Sequence, residues 1–240
     1  MRPAVEREIV AHLAAGDLNA CQIADIAGIP RSTVRDWLRQ PEPKLGHALS
    51  LDLGALPKAD YSYLLGFYLG DGTISRHRRG VYRLRIVTDG RYPGIIAECA
   101  AAMQAVLQRN RVLVQQLRYR AVEISCYSKL WPLLFPQHGP GRKHERSIEL
   151  APWQAEIVER FPRELLRGLI HSDGCRVLNR VNGTDYPRYF FTQVSTDIKA
   201  LFCDACDRLG IAYSFSNWKT VSIARAGSVA LLDSFVGPKS

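Results

Sequence analysis

The chain has 240 residues, of which 47% are hydrophobic, and its 32 basic and 23 acidic residues give a net charge of +9. This length allows one large domain or a medium domain with a small one, and the apolar content is ample for a core. Residues 1–15 lack a signal-peptide core and no run reaches the length of a membrane span, so we expect a cytoplasmic protein with reduced thiols and no membrane partner. The basic excess indicates a polyanionic partner.

Residues 3–39 are predicted to form three short helices. The apolar face of the first carries Val5, Ile9, Val10 and Leu13. The second and third fit a helix-turn-helix, in which Gly28 supplies the backbone freedom of the turn. Its inward residues are Ile23, Ala24, Ile29, Val34 and Trp37. The side chains that would face a DNA major groove are Arg31, Ser32, Thr33, Arg35 and Arg39. A three-helix packing module with an exposed basic helix is the alternative.

A linker is predicted after this segment. Pro41 and Pro43 break the helical pattern, and residues 41–58 show little periodicity and contain Gly46, Gly54 and Pro57. The predicted organisation is therefore a helix-turn-helix domain over residues 1–40, a linker over 41–58 and a second domain over 59–240.

Two segments of the second domain repeat each other. Residues 64–72 and 166–174 are both apolar helical runs that end in an acid followed by glycine. Small residues four apart, Gly66 with Gly70 and Gly168 with Ser172, form a flat stripe through which two helices can approach closely. The glycine after the acid suits a helix C-terminus.

The acids themselves, Asp71 and Asp173, are placed unfavourably. A carboxylate at the negative end of a helix dipole is disfavoured by about 0.3–1 kcal/mol. If the two helices pack on each other, the two carboxylates also meet and repel. A cation between them would remove both costs.

The segments that follow the two acids also repeat the same order of predicted elements. The order helix, strand, strand, helix, strand, strand, helix is predicted twice, with halves over about 59–150 and 151–240. The predicted elements of the first half are an Arg-rich hairpin loop, strand 82–88, helix 93–108, strands 111–118 and 121–127 and helix 128–135. Those of the second are a polar stretch containing Arg176, Asn179 and Arg180, strand 188–195, helix 197–209, strands 211–217 and 219–225 and helix 228–236. The fold class is α+β, with a pseudo-two-fold duplicated αββαββα unit beside a small all-α domain.

Arginine is concentrated on and around the predicted strands. Alternation along 82–87 places Arg83 and Arg85 on one face and Leu84 and Ile86 on the other. The other candidates for DNA contact are Arg76, Arg78, Arg79, Arg118, Arg120 and Arg188. An arginine-rich sheet face suits phosphates and guanine edges, whereas an ordinary solvated face is the alternative.

The paired segments resemble the LAGLIDADG motif of homing endonucleases over residues 59–240. The resemblance implies motif helices packed at a pseudo-symmetry axis and two four-stranded antiparallel sheets forming a saddle over DNA. It also implies that the last acid of each motif, Asp71 or Asp173, binds the catalytic divalent metal, Mg²⁺ or Mn²⁺, with Gly70 and Ser172 in the same site. A basic residue near each scissile phosphate would be Lys143 in the first half and Lys239 in the second.

This resemblance implies sequence-specific double-stranded DNA binding with Mg²⁺-dependent cleavage, by a nucleoid-associated monomer with internal pseudo-symmetry. The motif's earlier acid position holds Leu69 and His171, and we expect His171 to have a packing or phosphate-facing role. A non-cleaving transcriptional regulator built on the same domain and a helix-turn-helix is the alternative. A third is a relic of an intron maturase or an intein, the latter without support from any splicing motif. The single CxxC, Cys203 and Cys206, falls in an apolar helical pattern that does not favour zinc.

Overall fold

Residues 2–16, 18–39 and 51–237 are described by a computed structural model, in which the chain divides into the units Met1–Ser50 and Leu51–Ser240. The described part of the first unit forms α1 (Arg2–Ala14), α2 (Ala20–Ala27) and α3 (Arg31–Arg39), so the three predicted helices are confirmed. The side chain of Asn19 caps α2, and Gly28 ends it in the left-handed conformation with φ 65°. The core of this unit is Val10, Ile23, Ile29 and Val34.

The predicted apolar face of α1 is wrong at one position. Ile9 is 45% exposed, whereas the adjacent Val10 is buried. Because successive helical residues are 100° apart, the inward face consists of Val10 with Leu13 and Ala14, which follow it by three and four positions. The side chain of Val5 lies outside the described residues.

The second unit contains two antiparallel four-stranded sheets with strand orders β1-β2-β4-β3 and β5-β6-β8-β7. Its first half contains α4 (Lys58–Asp71), β1 (Gly72–Arg76), β2 (Tyr82–Asp89), α5 (Pro93–Val106), β3 (Val112–Gln116), β4 (Ala121–Ser128) and α6 (Trp131–Leu134). After α7 (Pro152–Arg160), the second half contains α8 (Pro162–Asp173), β5 (Gly174–Val181), β6 (Thr184–Thr192), α9 (Thr196–Arg208), β7 (Ser214–Asn217), β8 (Thr220–Ile223) and α10 (Ala226–Asp233). The predicted α+β duplication is confirmed.

Several predicted boundaries are wrong in the second half. The polar stretch after Gly174 is strand β5, which pairs with β6 in antiparallel register from Gly174 to Val181. It joins β6 through Asn182 and Gly183, both with positive φ, which is the chemistry of a tight hairpin. The strand predicted over 188–195 therefore starts at Thr184 and ends at Thr192.

The helices that differ from prediction are α6, α7 and α10. The helix predicted over 128–135 is the single turn α6, and the one predicted over 228–236 starts and ends earlier, at Ala226 and Asp233. Helix α7 was not predicted; Pro152 stands in its first turn, where the missing N–H of proline does no harm. No described helix has both the length and the apolar character needed to span a membrane.

The N-terminal boundary of this unit lies within the predicted linker. Leu56 is buried in the common core of the two halves, and Leu51 and Leu53 pack against that core. Residues 40–50, which include most of the predicted linker, lie outside the described residues.

Candidate metal centre and nucleic-acid interface

Helices α4 and α8 pack backbone against backbone, as the small-residue stripe predicts. A Cβ on Gly66 would lie 2.4 Å from the carbonyl oxygen of Leu165, and one on Gly168 would lie 2.1 Å from that of Tyr63. Any larger side chain would force the two helices apart. The two helices therefore cross at these glycines and run on to adjacent C-terminal ends.

The same close packing continues to the acids. A Cβ on Gly70 would lie 2.1 Å from Ser172 Oγ and 2.9 Å from Asp173 Oδ2, so the second acid lies against the last turn of the first helix. Asp71 follows Gly70 directly and is exposed, and Asp173 is half-buried. We call this place, where the ends of α4 and α8 meet, the seam.

Glycine follows each acid for a steric reason. The φ of Gly72 is −76° and that of Gly174 is −106°, so neither adopts the left-handed conformation of the common helix-ending glycine. A Cβ on Gly72 would instead lie 2.6 Å from Tyr68 Cα, and one on Gly174 would lie 2.7 Å from Ile170 Cα. Glycine thus lets the chain pass directly from each motif helix into the first strand of its sheet.

Lys143 brings a positive charge to the seam. Its Nζ donates hydrogen bonds to the carbonyl oxygens of Tyr68, Gly70 at 2.7 Å and Gly72 at 2.9 Å, and so caps the negative end of α4. Burial lowers the pKa of this ammonium from 10.5 to about 8, although Asp173 and Asp71 act to raise it. Both acids therefore interact electrostatically with one lysine.

The loop that carries Lys143 is held by Arg146. Its Nη1 donates to the carbonyl oxygens of Gly139 and Pro140 at 2.7 and 3.0 Å. This arrangement fixes the path of the chain after α6 and thereby the reach of Lys143 to the seam. The predicted counterpart in the other half, Lys239, lies outside the described residues.

Gln193 is a residue of the seam that sequence reasoning missed. Its Nε2 donates to Asp173 Oδ2 at 2.7 Å, and its Oε1 accepts from the backbone N–H of Val194 at 2.8 Å. Strand register could have identified it, because Gly174 pairs with Phe191, only two residues before Gln193. The amide thus orients one carboxylate of the pair.

His171 is part of the packing beneath the seam. It is 4% exposed, and its Nδ1 is hydrogen bonded to the Tyr63 hydroxyl at 3.0 Å. Glu98 Oε2 lies 3.9 Å from the same nitrogen and 2.8 Å from Arg167 Nη2. Burial raises the pKa of the Glu98 carboxyl above its ordinary value, against the lowering influence of Arg167.

Arg83 and Arg85 share a carboxylate that was not predicted. Both form ion pairs with Glu123 on β4, whose side chain is only 7% exposed. Burial raises the pKa of Glu123, but hydrogen bonding and charge from Arg85 and Arg83 outweigh it and leave that pKa below its ordinary value. The pair and its partner therefore present a net charge of about one, since one of the two positive charges is neutralised.

The other predicted DNA-contacting arginines are distributed over both sheets. Arg76, Arg78 and Arg79 surround the β1–β2 connection and are exposed, as are Arg118 and Arg120 between β3 and β4. Arg188 on β6 lies over the Phe190 ring, 5.6 Å from its centroid. In the first unit, Arg31, Ser32, Arg35 and Arg39 are exposed on α3 and Thr33 is partly exposed.

The donors at the seam suit a hard divalent cation. The described residues contain no cluster of three or more His, Cys, Asp or Glu side chains. Mg²⁺ does not need one, because it commonly takes one or two carboxylates and completes its shell with water and phosphate oxygens. Of the predicted donors, Asp71 and Asp173 fit this pattern, Ser172 adjoins them, and the Gly70 carbonyl already accepts a hydrogen bond from Lys143. Cys203 and Cys206 are buried in α9.

Comparison with known proteins identifies the fold. No family model and no curated protein matches the chain. Among solved structures, I-DmoI in complex with DNA and Ca aligns with 74% of this chain and 89% of its own, with 14% identity and a TM-score of 0.51. A variant of I-DmoI with its target DNA and 2 mM Mg aligns with 75% of this chain and 96% of its own, with 13% identity and a TM-score of 0.50. The N-terminal LAGLIDADG domain of WhiA aligns with 77% of this chain and 88% of its own, with 15% identity and a TM-score of 0.49. The second unit has the LAGLIDADG fold.

Proposed function

We propose that this chain binds double-stranded DNA at a specific sequence and hydrolyses phosphodiester bonds there with Mg²⁺ or Mn²⁺. The observation that carries the proposal is the seam, where Asp71, Asp173 and Lys143 come together at the ends of two packed helices. The fold supports it, because I-DmoI, which shares that fold, is described in complex with DNA and Ca.

The residues of the seam have separate roles in this proposal. Asp71 and Asp173 are the metal ligands, with Gly70 and Ser172 beside them. A divalent ion bound there supplies charge neutralisation at the attacking and leaving oxygens of the phosphate. Gln193 holds the Asp173 carboxylate in position. Lys143 places its ammonium where it can stabilise negative charge that develops on the phosphate.

The DNA-binding surface in this proposal includes both units. In the second, the basic residues that contact the duplex are Arg76, Arg78, Arg79, Arg83, Arg85, Arg118, Arg120 and Arg188. In the first, α2 and α3 act as a helix-turn-helix that places Arg31, Ser32, Thr33, Arg35 and Arg39 at a major groove. Because one chain supplies both motif halves, we propose that it acts as a monomer, associated with the nucleoid.

A non-cleaving transcriptional regulator is the second candidate. The separate first unit favours it, since a basic helix outside the LAGLIDADG-fold unit adds DNA contacts that hydrolysis does not require. This candidate uses the same DNA contacts and differs only at the seam.

The test starts with duplexes selected from a random pool by the full-length chain in Ca²⁺, which are then incubated with Mg²⁺ or Mn²⁺. We expect cleavage by the wild type and loss of cleavage in Asp71→Asn and Asp173→Asn. For a regulator, the same substitutions should leave DNA affinity unchanged or slightly higher, because a negative charge is removed near phosphates. Asp204→Asn, at an exposed position on α9, is the matched control and should cleave normally. Tight binding without cleavage by the wild type would favour the regulator and refute the nuclease, and failure to select any duplex would refute both candidates.

A further inference from the structure

Two β-hairpin tips expose an aromatic side chain next to a basic one. The tip between β3 and β4 consists of Arg118, Tyr119 and Arg120, and the tip between β7 and β8 consists of Trp218 and Lys219. Tyr119 is 98% exposed and Trp218 is 68% exposed. Neither ring contributes to the core, so burial within this unit does not explain why an aromatic residue stands at each tip.

The two tips occupy equivalent places in the duplicated unit. The carbonyl oxygen of Arg120 accepts a hydrogen bond from the Gly90 N–H at 2.7 Å, and that of Lys219 accepts one from the Gln193 N–H at 2.9 Å. In each half the bond therefore joins the residue after the aromatic ring to the segment after the second strand. The tips share the duplication that relates α4 to α8.

Each tip lies beside one acid of the seam. Tyr119 and Arg120 line a shallow cleft of about 320 Å³ together with Asp71 and Ser172. On the other side, Gln193 binds the second tip through its backbone and Asp173 through its side chain. A duplex that presents phosphates to both acids would therefore come close to both tips.

The backbone of the first tip is strained in a way that glycine would relieve. Tyr119 has φ 58° and Arg120 has φ 61°, a pair of left-handed residues for which Asn-Gly is the preferred sequence. A bulky ring and a guanidinium at such positions lower stability. Residues kept in strained conformations are commonly kept for a function.

The second tip is fixed in place by a buried lysine. Lys199 is 8% exposed, and its Nζ donates to the Trp218 carbonyl oxygen and lies 5.7 Å from the centroid of the Trp218 ring. Burying an ammonium to anchor an exposed loop pre-organises the tip, which lowers the entropy lost when it binds.

We propose that Tyr119 and Trp218 are paired minor-groove wedges. In the complex each ring inserts at a base step next to the seam and opens its stacking, and the duplex bends so that its phosphates approach Asp71 and Asp173. The basic side chains beside the rings neutralise the neighbouring phosphates; they are Arg118, Arg120 and Lys219. Because these charges suit a polyanion, we assign DNA as the partner of the two rings. The inference rests on the proposed DNA binding and adds to it a source of specificity, because flexible pyrimidine–purine steps open most easily.

The test uses a duplex selected by the full-length chain in Ca²⁺, with 2-aminopurine at each central step and a fluorophore pair at its ends. Wild type should raise the 2-aminopurine emission and shorten the end-to-end distance. Tyr119→Ala and Trp218→Ala should each remove the emission change on one side of the centre and reduce the bend, while affinity falls by about tenfold or less. Tyr119→Phe and Trp218→Phe, which keep an aromatic ring at each tip, should behave as wild type.

Two further variants exclude a folding defect. Tyr119→Asn combined with Arg120→Gly should unfold at a higher urea concentration than wild type and still fail to open the base step. Leu133→Ala, which removes a 40% exposed apolar side chain on α6, should leave both signals unchanged. If the duplex is bound but the alanine variants retain emission and bend, the wedges are refuted while the DNA-binding function stands. If no duplex is selected, both are refuted.

Discussion

At the scale of single residues, the positive charge of Lys143 offsets the unfavourable placement of the two motif carboxylates. Asp71 and Asp173 stand at the negative ends of two helices that meet, which disfavours both carboxylates. The Lys143 ammonium lies at that end, donates to three carbonyl oxygens and attracts both acids. The chain therefore carries one neutralising cation of its own at the seam.

The lowered pKa of Lys143 makes the stability of the protein depend on pH. The folded state releases this proton near pH 8, whereas the unfolded state holds it until about 10.5. Between these values the unfolded chain binds more protons, so the free energy of unfolding rises with pH and the contribution is lost as pH falls through 8. Relative to Lys143→Met, wild type should gain on the order of 1 kcal/mol between pH 7.5 and 9.5.

Urea denaturation in EDTA at several pH values measures this difference. The tyrosines with raised pKa values are present in both proteins, so their effect cancels when the two are compared. A difference that stays constant with pH would show that Lys143 keeps its ordinary pKa and is more hydrated than its contacts indicate.

At the scale of elements, Gly66 and Gly168 determine how closely α4 and α8 cross, because glycine has no side chain to separate them. Helix α4 is buried from Tyr61 to Leu69 and α8 from Gly168 to His171, and the glycines allow carbonyl oxygens of one helix to reach the Cα positions of the other. Close backbone approach increases dispersion contacts along the crossing. It also fixes the positions of Asp71 and Asp173, so the geometry of the seam depends on how these two helices pack.

We expect Gly66→Ala and Gly168→Ala to destabilise the second unit strongly. The new methyl group would meet backbone atoms 2.4 and 2.1 Å away, which do not move without separating the helices. Such overpacking costs about 1–3 kcal/mol, and here it also offsets the helix propensity that alanine adds. Urea unfolding of the two variants measures the loss.

Gly227→Ala is the matched control for this prediction. Gly227 lies within α10, and a Cβ built on it would meet no atom within 4 Å. The variant should be as stable as wild type or gain up to about 1 kcal/mol, because alanine favours helix over glycine. Equal stability of all three variants would mean that α4 and α8 are not in close contact.

The fold was predictable to the extent that its elements repeat. The duplicated acid-glycine runs, the alternation along β2 and the apolar faces of α5 and α9 predict the repeated order of elements that the structure shows, apart from α7 and β5. Strand β5 was missed because its polar and apolar residues do not alternate, and apolar Leu178 and Val181 are exposed. The short α6 was predicted too long, since its flanking apolar residues pack without helical backbone.

The residue pattern by itself indicates only the acids of the seam, and Lys143 was expected through the family resemblance alone. The contact of Lys143 with α4 joins residues more than 70 positions apart, and no local pattern encodes it. Glu123 was missed for a similar reason, because a lone acid on a strand gives no sign that two arginines of the neighbouring strand bind it. The position of Gln193 beside Asp173 can be inferred only once the register between β5 and β6 is known, and the sequence alone does not give that register.

At the scale of the whole molecule, the proposed DNA binding assigns part of the net charge of +9 to surfaces that contact phosphates. Each phosphate contact releases condensed counterions, so the slope of the logarithm of the binding constant against the logarithm of salt concentration counts contacts. Charges far from the duplex change this slope little. The measurement therefore separates local contact from overall charge.

We expect the double substitution Arg31→Ala with Arg35→Ala to make that slope about 2 units shallower, if both arginines of α3 contact phosphates. Arg160→Ala with Arg208→Ala removes the same charge from α7 and α9 of the second unit and should leave the slope unchanged. Fluorescence anisotropy of a selected duplex in Ca²⁺ at increasing KCl gives both values. Equal slopes for the two double variants would show that α3 stays away from the DNA and that affinity comes from the LAGLIDADG-fold unit alone. A shallower slope for the α3 pair alone would place the first unit on the duplex.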